Sequence, residues 1–198
     1  EHRADIVISN ADGRSTIYDM LDGRYTTERI QAYYDNAPAS QVMALHVSLG
    51  VARDLSHEPH ALVLCLPEPV RIGGEAHDRL DLEIYGFAPE MAPAGKTVVK
   101  ATFPASYTYW KELRAQGTYD AEKQRTAEIV IEQLDRRFPG FRAQVEAVDV
   151  ATPLTTERFV GSNRGFQAWP VPNQSAMDVM TGKGLSRTLP GLEGFYMV

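Results

Sequence analysis

A single cysteine, Cys65, stands in the 198 residues, so no internal disulfide can form and the fold must rest on packing. Lys and Arg together number 20 against 26 Asp and Glu, leaving a net charge of −6 and no basic run. A protein that tracks a phosphate backbone needs a basic face, so this balance argues against nucleic acid as a partner. No stretch approaches the roughly 20 apolar residues of a membrane span. No signal-peptide pattern follows residue 1, which in a segment of a longer chain says nothing about where the parent resides. Also absent are the Gly-x-Gly-x-x-Gly turn that cradles a dinucleotide, the Walker loop, and the Gly-x-Ser-x-Gly nucleophile elbow. No internal repeat or low-complexity tract is visible.

What is present is ordinary globular material. Hydrophobic residues make up 43% and charged ones 23%, which excludes a disordered chain and fits one domain, or one with a partial second. Residues 41–51 read as the cleanest strand, with Met43, Leu45, Val47, Leu49 and Val51 on one face and Ala44, His46, Ser48 and Gly50 on the other. One face suits a core; the other is small and mildly polar and suits solvent or a cavity wall. Leu62–Leu66 reads as a short apolar strand ended by Pro67 and Pro69, with Cys65 a small buried hydrophobe. Gly73-Gly74 is a turn. Leu80, Leu82 and Ile84, then Val99, Ala101 and Phe103, mark two more half-buried strands. Short helices are expected from Asp12 or Ser15 to Gly23, from Thr26 or Thr27 to about Tyr34, and over 107–113. Ala127, Val130, Ile131, Leu134 and Phe138 predict a long amphipathic helix over 119–138, stopped by Pro139-Gly140, before a strand over 143–150. Consecutive strands with short links favour antiparallel pairing. The pattern predicts an α+β fold, a mainly antiparallel sheet with helices on one side.

Candidate chemistry is sparse. Asp54, His57, Glu58, His60 and His77 form the densest group of metal-ligand types, but Pro59 breaks a helical pairing of His57 with His60 and no third ligand follows closely. A polar loop is the better reading, and no metal is expected. His46 is either a polar group pointing into a pocket or a partly exposed strand histidine. Gly161-Ser162-Asn163-Arg164-Gly165 makes a polar elbow before Phe166 and Trp169. There Arg164 could hold an anion or stack on a ring, or the segment is a surface loop anchored by the two aromatics.

Both ends are strand-like. The chain opens Ala4-Asp5-Ile6-Val7-Ile8-Ser9-Asn10-Ala11-Asp12 and stops at Gly194-Phe195-Tyr196-Met197-Val198. Termini of whole domains are commonly polar and frayed, so the expectation is a segment excised from a larger fold, beginning and ending on core strands.

The stretch Ala151 to Gly165, followed by Thr188-Leu189-Pro190-Gly191-Leu192-Glu193-Gly194-Phe195-Tyr196-Met197-Val198, resembles the C-terminal part of phytoene desaturase and carotenoid isomerase-like flavoproteins. The opening Ala4–Asp12 run is similar to that family's last strand before the chain leaves the cofactor domain. The resemblance covers both ends and their order; residues 40–140 match only by element pattern. It implies an FAD-dependent desaturase or isomerase of amine-oxidase-like fold whose cofactor-binding half lies outside this chain. Residues 1–22 would be strand and link from the FAD domain, 23–150 the substrate-binding domain, and 151–198 the return segment. It implies a long apolar, isoprenoid or carotenoid-like substrate met by His46, Arg164, Gly165, Phe166 and Trp169, with Asn10 near the flavin. Partners would be that substrate and the remaining FAD-binding part, in a cytoplasmic protein or one peripheral at a membrane. The competing expectation is a non-catalytic module of the same fold, similar to the escort proteins that bind prenylated small GTPases.

Overall fold

The computed structural model describes residues 3–35, 42–165 and 186–197. The chain forms two compact units, residues 42–154 and residues 1–41 with 155–198.

The 42–154 unit is built on a five-stranded antiparallel sheet. In chain order its strands are β2 (Val42–Val51), β3 (Ala61–Ile72), β4 (Glu75–Ile84), β5 (Thr97–Ser106) and β6 (Val145–Ala151), arranged β3-β4-β5-β2-β6 (β1 belongs to the other unit). Gly73 and Gly74, both at positive φ, close the two-residue hairpin between β3 and β4, a turn whose backbone an L side chain resists. Two helices, α2 (Tyr107–Ala115) and α3 (Tyr119–Arg137), follow β5. Ser106 caps α2, its hydroxyl accepting from the Tyr109 N–H. The inward residues of β2 pack with Leu80, Leu82, Val99, Ala101 and Phe103 against Trp110, Ala127, Val130, Ile131, Leu134 and Phe138. The α+β arrangement read from periodicity is therefore present, including the phase of α3.

Two further ties position the sheet. Thr97 is buried with its hydroxyl fully used, accepting from the Leu55 N–H at 3.1 Å and donating to the Arg53 carbonyl at 2.8 Å. This fixes the loop leaving β2 to the start of β5, at no desolvation penalty for the hydroxyl. Tyr119 and Thr152 hydroxyls meet at 2.8 Å, joining α3 to the exit of β6.

The other unit pairs β1 (Val7–Ser9) in parallel with β7 (Phe195–Met197). Ile17, Ile30, Leu189, Phe195 and Met197 form its own small core, flanked by Tyr18, Tyr25 and Tyr34. Asp12 accepts from the Ser15 N–H and Thr27 from the Ile30 N–H. These bonds start the two helical segments where the capping residues predict. The second is α1 (Glu28–Asp35). The first, Ser15–Met20, winds as a π-helix, with the Leu21 N–H reaching back to the Thr16 carbonyl.

Three expectations are corrected. The strand through Leu62–Leu66 does not stop at Pro67 but runs to Ile72. β3 is an edge strand whose register shifts between Cys65 and Val70, and prolines are tolerated at such an irregular edge. Cys65 is exposed, not buried: alternation turns Leu62, Leu64 and Leu66 toward the core and Cys65 away from it. The opening segment pairs over only three residues, and Ile6, Val7 and Ile8 are exposed, because among the described residues β1 has β7 alone as a neighbour strand.

Leu134 is fully buried in the main core. Leu134→Ala should lower unfolding free energy by about 2–5 kcal/mol, measured by urea denaturation. Glu128→Ala, at an exposed ion pair with Arg142, should change it by less than about 1 kcal/mol.

Candidate functional site

Cross-strand register decides which residues share the sheet face turned away from α2 and α3. In one row Val63, Asp81, Thr102, His46 and Ala151 lie opposite one another across β3, β4, β5, β2 and β6. In the next, Ala61, Glu83, Lys100, Ser48 and Asp149 do the same. Residues directly opposite in an antiparallel pair point to the same face. The face is thus edged by small or apolar residues (Ala44, Gly50, Ala147, Ala151, Val63) and crossed at its middle by a polar band.

The band holds two hydrogen-bonded groups. Lys100 Nζ meets Glu83 Oε2 at 2.9 Å, and the Tyr85 hydroxyl donates to the same oxygen at 2.6 Å. His46 Nδ1 lies 3.2 Å from Thr102 Oγ1. The hydrogen bond from Tyr85 and the one from Lys100 hold the Glu83 carboxyl below its ordinary range. Burial pulls Lys100 down, but its bonds to Glu83 and Tyr85 outweigh that and leave it above its usual value. Burial, with the Lys100 cation second, pushes His46 below its ordinary 6.5. At neutral pH Glu83 is therefore a carboxylate, Lys100 an ammonium and His46 an uncharged imidazole.

The other sequence-derived residues lie elsewhere. Asn10 is exposed in the turn after β1. α4 (Pro153–Val160) leads into a turn over Asn163–Gly165, in which Arg164 is exposed and sits at φ 56°, ψ 29°. This is the left-handed region, uncommon outside glycine, and the Arg164 N–H donates to Glu157 Oε1 at 3.3 Å. The Ser15 hydroxyl donates to the Gly161 carbonyl at 3.3 Å, tying the segment after Asn10 to the turn that holds Arg164 and Gly165. Gly161 has positive φ and open space where a side chain would be. Ser162 Oγ is buried with no hydrogen-bond partner among the described residues. Phe166 and Trp169 lie outside the described residues.

The metal-ligand types between strands are engaged separately. Asp54 accepts from the Ser56 N–H, Glu58 pairs with Arg137 and His57, His60 edges Phe87, and His77 contacts the Ile72 carbonyl and the Phe103 ring. Among the described residues no three such groups converge, and no helix is long and apolar enough to cross a membrane.

Of the polar band, periodicity singled out only His46. Lys100, Thr102, Asp81 and Glu83 are visible in the sequence as the polar alternates of their strands. What joins them is the pairing of residues 97–106 with 42–51 on one side and with 81–84 on the other, which no local signal carries.

No family model matches the chain. In sequence it is 25% identical over 204 residues to the chloroplastic prolycopene isomerase of Arabidopsis thaliana, an alignment that takes in 100% of this chain and 33% of that protein. The chain thus spans about a third of the length of the curated relative it matches. Among solved structures it is similar to an oxidoreductase from Methanosarcina mazei, with a TM-score of 0.51 and 20% identity over 100% of this chain and 38% of that one. This second likeness is one of fold, and it is consistent with the α+β architecture.

The lowered pKa of His46 has a consequence for stability. The unfolded chain takes up this proton more readily than the folded one, so stability rises with pH through the window between the folded value and 6.5. His46 should titrate below 6.5 by NMR. Stability should be full above that pH and fall as pH drops through the folded value, and His46→Gln should flatten that part of the profile.

Proposed function

We propose that this chain is the substrate-binding part of a longer FAD-dependent oxidoreductase or isomerase acting on a long apolar, isoprenoid-like molecule. The observation that carries the reading is the alignment of the whole chain to only a third of an isomerase, together with the flavoprotein-like motifs at both ends. An oxidoreductase as fold neighbour supports the redox class.

The residues present do not carry the motif that cradles the cofactor. The sequence lacks the glycine turn opening a helix that receives a dinucleotide pyrophosphate. FAD would therefore be held by the part of the parent outside this chain, and would supply the redox chemistry there. On this reading residues 1–22 and 151–198 belong with that cofactor half, and Asn10, Arg164 and Gly165 face it. This chain's own task is to receive the substrate, orient it and exclude water. The face holding Ala44, His46, Ser48 and Gly50 suits that task, since its small residues leave room for a flat, extended molecule.

The purified 198-residue chain should be colourless and inactive, while the parent should carry a Gly-x-Gly-x-x-Gly after an upstream strand and purify yellow. A stoichiometric flavin spectrum surviving gel filtration of the short chain would sink the proposal.

Arg164 gives a finer test in the parent. Arg164→Gly removes the side chain and suits the left-handed backbone better than arginine does. Turnover or substrate affinity should fall by about tenfold, as for one lost charge-assisted contact, with FAD content unchanged. Wild-type kinetics in that variant would return the turn to a surface role.

A further inference from the structure

Resting on that reading, we infer that the molecule received by the sheet face carries a neutral oxygen function, a hydroxyl or carbonyl, which docks on the polar band of Ser48, His46, Lys100 and Glu83.

A hydrocarbon would be served by an apolar wall. This face has instead, at the centre of its three inner strands, polar atoms with unused bonding capacity. Glu83 takes both of its bonds on Oε2, leaving Oε1 without a partner among the described residues. His46 is engaged through Nδ1, which leaves Nε2 for a ligand. The Ser48 hydroxyl, on the residue directly opposite Lys100 in the register, makes no hydrogen bond among the described residues. A purely apolar molecule laid on these atoms would strip their water and return nothing, and polar groups left unpaired in this way are expensive. A hydroxyl can replace that water, accepting from Lys100 Nζ or Ser48 Oγ while donating to Glu83 Oε1 or His46 Nε2.

Charge excludes the anionic alternative. Lys100 is already neutralised by Glu83, and Asp81 and Asp149 stand opposite Thr102 and Ser48 in the adjoining strands. Asp81 is countered by Arg79 at 3.4 Å, so the two rows together are not positive. A carboxylate or phosphate would meet carboxylates with no free cation on the band to receive it. The uncharged state of His46 points the same way, because a neutral imidazole pairs with a hydroxyl as readily as with water.

The test uses the full-length parent loaded with FAD and three probes: a linear conjugated polyene hydrocarbon, the same polyene with a terminal hydroxyl, and the same polyene with a terminal carboxylate. Affinity is read from the shift of the polyene absorption band on titration. The alcohol should bind about tenfold more tightly than the hydrocarbon, as one or two net hydrogen bonds provide, and the carboxylate more weakly than the alcohol. The double variant Glu83→Gln/Lys100→Met, which leaves no unpaired charge, should bring the alcohol's affinity toward that of the hydrocarbon, and Ser48→Ala should do so in part. Equal binding of alcohol and hydrocarbon, tightest binding of the carboxylate, or a preference untouched by both variants would each overturn the inference and leave the proposed function standing. Failure of all three probes to bind would overturn the proposed function, and this inference with it.

Discussion

The pairing of β2 with β5 on one side and β6 on the other is the constraint on which the rest of the 42–154 unit depends. A strand has a side-chain period of two, so a one-residue slip would exchange the two faces outright. Leu45, Val47 and Leu49 would turn out of the core, and His46 and Ser48 would be driven into it. Burying the imidazole and hydroxyl against Trp110 and Leu134 without partners is strongly unfavourable, so the hydrophobic pattern itself selects the register. Thr97 reinforces that choice: its hydroxyl locks the residues after β2 to the residue opposite Val51.

The same register sets the electrostatics of the opposite face. Glu83 and Lys100 face each other because β4 lies beside β5, and Lys100 faces Ser48 because β5 lies beside β2. Neither contact is local in sequence. An ion pair this open to water contributes little to stability alone. Its significance is that three residues from three strands are held together at the middle of one face.

Much of this architecture was legible residue by residue. α3 was readable because a 3.6-residue period over 119–137 admits one burial phase, and β2 because its alternation is unbroken from Met43 to Val51. The hairpin at Gly73-Gly74 was readable from turn chemistry. What failed was reading proline as a terminator: Pro67 and Pro69 end a central strand but not an edge strand with a shifted register, and edge position is a tertiary fact. Cys65 was misread for the same reason, since on an edge strand the outward alternates are exposed. Of the candidate site, His46 could be picked out by its strand phase, whereas its neighbours Lys100, Thr102 and Glu83 became a group only through the strand order β4-β5-β2. The conformation of Arg164 was not legible, since glycine neighbours permit a left-handed residue without requiring one.

The ionisation states on the polar band also bear on what this face can do. A general acid or base works best with a pKa brought near the operating pH, so that it can give and take a proton cheaply. Here the shifts run the other way. Glu83 is pushed down and further into its anionic form, Lys100 is pushed up and further into its cationic form, and His46 is pushed down and further into its neutral form. Each group is fixed in the state it already favours at neutral pH. On the proposed reading, such a network would hold a ligand through hydrogen bonds that do not change as the reaction proceeds, which is the behaviour of a positioning surface, and bond making and breaking would fall to groups supplied from outside this sheet.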